Sequence, residues 1–175
     1  MVKSGNKDVF GILVERYKKK AFYLALKLVG DPDEAMDISQ EAFIRVYHAR
    51  KRYDETKSFF SWFYTVLSNL AKNCLKKGRI RAEYRKTVQN EKMPENNNRA
   101  IPPDVILEAD ETRKMVWEAI EKLSFEHREI IVLRHFEDFS YEEIAKAVRI
   151  PIGSVMSRLY YARKQLKEIL GEICE

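Results

Sequence analysis

The stretch SYEEIAKAVRIPIGSVMSRLYYARKQL, residues 140–166, decides how the chain folds. Ser140 is followed three residues later by Glu143, the spacing of a capping box that opens a helix. That helix must be short, because Pro151 lies only eleven residues on and suits the first turn of a new one. A short helix, a tight connection and a longer helix rich in cations is the helix-turn-helix pattern. Ala145 falls where two such helices cross closely, and Ile150 and Val155 are expected to fill the small core beneath them.

The second helix of this motif lies in the major groove of DNA, where each base pair shows a distinct set of donors, acceptors and methyl groups. Ser154 and Ser157, near its start, are candidates for base or phosphate contact. Arg158, Arg163 and Lys164 are the candidate phosphate contacts, with Lys167 beyond them. A plain helical bundle with a solvated, charged last helix fits the same residues.

Working outward, Phe125–Phe136 reads as the helix before the motif and 104–123 as one more. Upstream lies RKTVQNEKMPENNNRAIPP, residues 85–103, which has three prolines, an asparagine run and almost no large apolar residues. That is linker composition. The expected organisation is therefore two small, all-α domains, 1–84 and 104–175, joined by a flexible linker over 85–103. The first domain reads as three helices. Val9, Phe10, Leu13, Tyr17, Ala21, Leu24 and Leu28 recur at helical steps, Gly30 closes that helix, and Asp31-Pro32 opens the next as far as about Arg50. A polar break over 54–58 precedes a third helix, from about Phe59 to Arg81, with Trp62, Val66 and Leu70 on one face.

Composition narrows the function. Of 175 residues, 34% are charged and 45% hydrophobic, and the formal net charge is +5, which permits a polyanionic partner without requiring one. Cys74 and Cys174 stand far apart, and His48, His127 and His135 have no ligand spacing, so neither a disulfide framework nor a metal or other cofactor site is expected. No apolar run follows the N-terminal lysines and no stretch is long enough to cross a membrane, which points to a cytoplasmic protein with no direct membrane insertion. Six glycines and no Ser/His/Asp grouping leave no phosphate cradle and no triad, so an enzyme is not expected.

Two runs in the first domain carry more specific signals. In DPDEAMDISQEAFIRVYHARKRYD, residues 31–54, Asp37, Gln40 and Glu41 share one helix face, while Ile38, Ala42 and Val46 turn towards the core. In SFFSWFYTVLSNLAKNCLKKGRIR, residues 58–81, aromatics crowd the start and Asn69, Lys72, Asn73 and Lys76 follow in successive turns. Aromatic faces stack on unpaired bases, asparagine bonds base edges bidentately and lysines hold phosphates.

The run D-x-x-x-A-x-D-x-x-Q-E-x-F at 31–43 resembles region 2 of bacterial sigma factors. Residues 120–166 are similar to region 4, through Leu123, Arg128, Glu129, Ser140, Ile144, Ala145 and the P-x-G-[ST]-V-x-S-R-L run at 151–159. Together they resemble an extracytoplasmic-function (group 4) sigma factor of the sigma-70 family, which has both regions and no others. The resemblance implies a transcription initiation factor. Asp37, Gln40, Glu41 and Arg45 would bind the clamp of the largest subunit of bacterial core RNA polymerase, and region 4 the flap of the second subunit. The −10 element of promoter DNA would be melted and held by Tyr53, Phe59, Phe60 and Tyr64, with the pocket in the 53–60 loop, where side chains are expected to be free of core duty. Asn69, Lys72, Asn73 and Lys76 would hold its duplex edge, and the helix at 151–166 would read the −35 element. The linker would lie in the RNA-exit path, and an anti-sigma factor would hold the free protein inactive. Relatives often carry a basic or polar residue at the position of Met156, an aromatic at that of Tyr160 and arginine at that of Tyr161, so the resemblance adds these three to the −35 contacts, and a preference shifted away from guanine is expected under Met156. A helix-turn-helix regulator that never replaces a sigma factor is the alternative, and it has no use for the 31–43 row or the aromatic loop.

Overall fold

A computed structural model describes residues 7–56, 58–89 and 111–174, without the side chains of Lys7, of 85–89, of Glu111 and of 172–174. The chain divides into two compact units, Met1–Ile101 and Pro102–Glu175. All regular structure among the described residues is helical: α1 (Lys7–Val29), α2 (Pro32–Ala49) and α3 (Phe59–Gln89) in the first unit; α4 (Glu111–Glu121), α5 (Phe125–His135), α6 (Tyr141–Val148) and α7 (Ile152–Cys174) in the second.

In the first unit the chain reverses between α1 and α2 at Gly30, whose φ of 77° is left-handed and whose N–H donates to the Leu26 carbonyl at 2.8 Å. Glycine takes that conformation without steric cost. Asp31 then caps α2 by accepting from the Glu34 N–H at 2.9 Å, with Pro32 in the first turn. Leu24 and Leu28 of α1, Ala42 and Val46 of α2, and Phe63, Leu67 and Ala71 of α3 are wholly buried, and Ile38 nearly so. Each large side chain withdrawn in this way contributes about 1.5–3 kcal/mol. Phe43 and Phe63 meet at 4.6 Å between ring centroids.

Helix α3 departs from expectation twice. It continues to Gln89, past the expected end at Arg81 and through the first five residues assigned to the linker. Its buried seam runs Phe63, Tyr64, Leu67, Ala71, while Trp62, Val66 and Leu70 are only half-buried along its edge. The seam is rotated because α3 lies against both α1 and α2, which cover a wider arc than the single row read from the sequence.

In the second unit Ser124 caps α5 by accepting from the His127 N–H at 3.3 Å. Arg128 is 7% exposed, and its guanidinium donates to the carbonyls of Glu121 and Leu123 at the end of α4, groups that have no partner within the helix. Ile130, Val132 and Leu133 of α5, Ile144 of α6 and Val155, Leu159 and Ala162 of α7 form the core. The capping box is present, with Ser140 N–H donating to Glu143 Oε2 at 2.8 Å and Glu143 N–H to Ser140 Oγ at 3.2 Å. Helix α7 is assigned from Ile152, and Pro151 stands one residue ahead of it, where its carbonyl accepts from Val155 N–H at 3.2 Å. Ile150 and Ala145 are half-buried, so only Val155 of the expected pair lies deep in the core. The helix expected over 104–110 lies outside the described residues; the described part ends at Glu121, two residues before Leu123.

Two side-chain contacts tie α5 to α7. His127 Nδ1 lies 3.0 Å from Gln165 Oε1, and His135 Nε2 lies 3.4 Å from Arg163 Nη2. Burial first, then Arg163 and Arg134, hold His135 below its ordinary value of 6.5. The folded protein thus favours the neutral ring. Stability from this site is full above pH 6.5 and falls as pH drops through the lowered value, because the unfolded chain takes up the proton first. Chemical denaturation is expected to show the wild type losing more stability between pH 8 and pH 5.5 than His135→Gln; equal losses count against this account.

The α6–α7 turn rests on Arg149, at φ 59° and ψ 47°, with the N–H of Ile150 closing on the Ala145 carbonyl at 3.1 Å. A side chain in that conformation costs about 1 kcal/mol. Arg149→Gly is therefore expected to raise the stability of the full chain by about 0.5 kcal/mol, after the added freedom of the unfolded glycine is subtracted. A lower denaturation midpoint would show that the arginine side chain holds the turn.

Candidate nucleic-acid and partner interfaces

Burying Ile38, Ala42 and Val46 fixes the rotation of α2, and the remaining face emerges as expected. Asp37, Gln40 and Arg45 are exposed and Glu41 half-buried. Glu41 and Arg45 are not independent: Arg45 Nε donates to Glu41 Oε1 at 2.6 Å, one turn apart. An exposed pair of this kind is worth under about 1 kcal/mol, so a partner can separate it cheaply. Sequence reasoning missed Ile44, which is 52% exposed one turn beyond Gln40. Phe10 and Val14 of α1 and Phe43, Ile44, Tyr47 and His48 of α2 line an open apolar groove of about 450 Å³ beside that row. The signal was legible, because Ile44 and Tyr47 are apolar yet out of phase with positions 38, 42 and 46.

The aromatic loop is where expectation fails. Tyr53 is 7% exposed, Phe60 8% and Tyr64 0%, so these three candidate stacking residues belong to the core. Tyr53 stacks on Trp62 at 4.9 Å, Phe60 stacks on Tyr17 at 5.7 Å, and Lys20 Nζ sits 4.1 Å over the Phe60 ring. The expectation of side chains free of core duty is corrected for a physical reason: Tyr53 lies in a short connection over the core, Phe60 and Tyr64 fall in the first two turns of α3, and large aromatics bury more area there than in water. Phe59 is half-buried, 5.6 Å from the Tyr17 ring.

Along α3, Asn69, Lys72, Asn73 and Lys76 are all exposed, one turn apart in pairs, and Lys77, Arg79 and Arg81 continue the exposed basic surface. Cys74, beside them, is half-buried, and its thiol is pushed up to about 12 by burial, then by a hydrogen bond with Glu34. It stays protonated and unreactive at neutral pH. No group of three or more His, Cys, Asp or Glu suited to a metal ion occurs among the described residues, and no described helix is long and apolar enough to cross a membrane.

On α7, Met156, Tyr160 and Tyr161 are 50%, 64% and 58% exposed, while Ser157, Arg163 and Lys164 are exposed and Ser154 and Arg158 half-buried. The Ser157 hydroxyl turns back onto its own helix, 2.9 Å from the Gly153 carbonyl and 3.3 Å from that of Ser154. Arg163 is steadied by His135, a contact that sequence reasoning did not foresee, since 28 residues separate them.

The sequence profile of Sigma-70 region 2 matches residues 13–81, and that of Sigma-70, region 4, matches residues 113–166. Over whole lengths the chain is 33% identical to the RNA polymerase sigma-H factor of Pseudomonas aeruginosa, covering 97% of this chain and 90% of that protein. It is 30% identical to the ECF RNA polymerase sigma factor SigW of Bacillus subtilis, covering 98% and 94%. The ECF RNA polymerase sigma-E factor of Escherichia coli K12 is 33% identical, with 94% and 88% covered. The fold is similar to that of the sigma factor RpoE, solved with the anti-sigma factor NepR from Bartonella quintana, at a TM-score of 0.73 and 23% identity over 93% of this chain and 96% of that one. It is also similar to CnrH, solved with the cytosolic domain of CnrY, at a TM-score of 0.68 and 23% identity over 98% and 93%. With both regions matched in order along nearly its whole length, the chain belongs to the sigma-70 family, as an extracytoplasmic-function sigma factor.

Proposed function

We propose that this chain directs bacterial core RNA polymerase to promoters with −35 and −10 elements and promotes opening of the second. The observation that carries this reading is the presence, in one chain, of the outward row of α2 and a helix-turn-helix whose second helix carries only cations along its first four turns. Four Lys and Arg and no Asp or Glu fall from Ile152 to Lys167. A DNA-binding regulator has use only for the second feature. Chemistry is left to polymerase, and the protein acts in the cytoplasm.

Asp37, Gln40 and the separable Glu41–Arg45 pair form the core-binding row, and the Ile44 groove beside it offers apolar area to the same partner. The unit over 102–175 docks on the −35 element and the flap. Held on one polymerase, two modest DNA contacts reinforce each other through effective concentration.

Melting has two stages in this reading. Asn69, Lys72, Asn73 and Lys76 take the duplex edge, and Phe59 is the aromatic with a partly open face. Stable capture of an unpaired base then requires Tyr53 or Phe60 to leave Trp62 or Tyr17. Flipping a base costs a few kcal/mol, and each new stack returns about 1–3 kcal/mol, so opening stays near balance and polymerase contacts can tip it. An anti-sigma factor, such as the NepR solved with RpoE, restrains the free protein by covering these surfaces.

Run-off transcription with core polymerase and genomic fragments tests the reading: initiation at discrete promoters is expected, and none with any bacterial core enzyme would sink it. Replacing Gln40 and Glu41 together by alanine is expected to weaken core binding about tenfold or more, as loss of central interface residues does. Thermal stability and −35 duplex binding of the full chain should stay unchanged; intact core affinity moves the interface elsewhere. For −35 preference, selection from randomised duplexes with Met156→Arg is expected to enrich guanine relative to wild type, since arginine bonds guanine bidentately. Identical selected sequences would remove Met156 from the base contacts.

A further inference from the structure

Ile152, Met156 and Tyr160 stand one turn apart on α7 and are 39%, 50% and 64% exposed. A row of apolar side chains on a surface helix is ordinarily buried against its own domain, but here the buried seam is Val155, Leu159 and Ala162. The row faces outward with Arg163, Lys164 and Lys167 nearest it around the helix, in an interval with no carboxylate from Ile144 to Lys167. Its partner must therefore be anionic around the rim and apolar at the point of contact. The major groove meets both conditions where a pyrimidine carries a methyl group at C5.

Two details favour that partner. Ser157 commits its hydroxyl to the carbonyls of Gly153 and Ser154 at 2.9 and 3.3 Å, which removes the polar donor nearest the row. Tyr160 meets Tyr161 edge-on at 5.3 Å, which widens the exposed aromatic surface at that end of the row.

We infer that Ile152, Met156 and Tyr160 form a contact surface for C5-methyl groups of pyrimidines in the −35 element, thymine or 5-methylcytosine. The inference rests on the reading that α7 enters the major groove there. Promoter choice then responds to a methyl group rather than to hydrogen-bond pattern alone, and cytosine methylation can substitute for thymine at a contacted step.

The test uses holoenzyme reconstituted from bacterial core polymerase and the full chain, on a promoter mapped by run-off transcription. Each −35 thymine is replaced in turn by deoxyuridine, which removes only the methyl. At one to three positions binding is expected to weaken about fourfold, the worth of one buried methyl group. At such a position 5-methylcytosine opposite guanine should bind more tightly than cytosine opposite guanine. Met156→Ala should abolish the difference at its position, and Met156→Leu should retain it. Unchanged binding with every deoxyuridine, a difference that survives Met156→Ala, or a protected −35 element without thymine overturns the inference while leaving −35 docking intact. Absence of any −35 footprint removes docking and the inference together. If Met156→Ala impairs only capture by an inhibitor protein, the row belongs to that protein and the inference fails.

Discussion

A packed helix has one rotational phase, and most of what this protein presents follows from that constraint. Burying Ile38, Ala42 and Val46 leaves α2 no choice but to turn Asp37, Gln40 and Arg45 outward. Burying Val155, Leu159 and Ala162 does the same for Met156, Ser157 and Tyr160 on α7. Interior and surface are read off the same residues, a hundred degrees apart at each step. The caps matter for the same reason. Asp31 and the Ser140–Glu143 box set where a helix begins, so they also set which face meets the core.

Polar side-chain contacts made by α5 carry part of the architecture of the second unit. Arg128 closes the end of α4 from the neighbouring helix, and His127 and His135 reach from the same helix to Gln165 and Arg163. Helix α5 is thus the frame against which α7 is aligned, through its apolar side chains and through hydrogen bonds near both ends. Polar contacts of this kind specify angle and register more than they add stability.

Legibility followed the same constraint. The two helical units, the capping box and the outward face of α2 were readable, because periodicity alone determines them once a core exists. The aromatic cluster was not. Tyr53, Phe60 and Tyr64 have the same composition whether they wait for a base or fill a core, and only the position of Tyr17 and Trp62, set by tertiary packing, decides between the two. The far end of α3 misled for the opposite reason: 85–89 are polar apart from Val88, a composition that suits a linker and equally suits a helix.

That far end has a geometric consequence. From Lys76 to Tyr84 every residue is exposed except the half-buried Ala82, so this stretch of α3 is a solvent-facing rod. Helix rises about 1.5 Å and turns about 100° per residue. The point at which the chain leaves α3 is therefore indexed like the tooth of a gear. Removing two residues from this rod swings the exit to the other side of the axis; removing seven shortens it by about 10 Å and nearly restores the direction. Length and heading of the departing chain are coupled here in steps, which a coil of the same composition could not do.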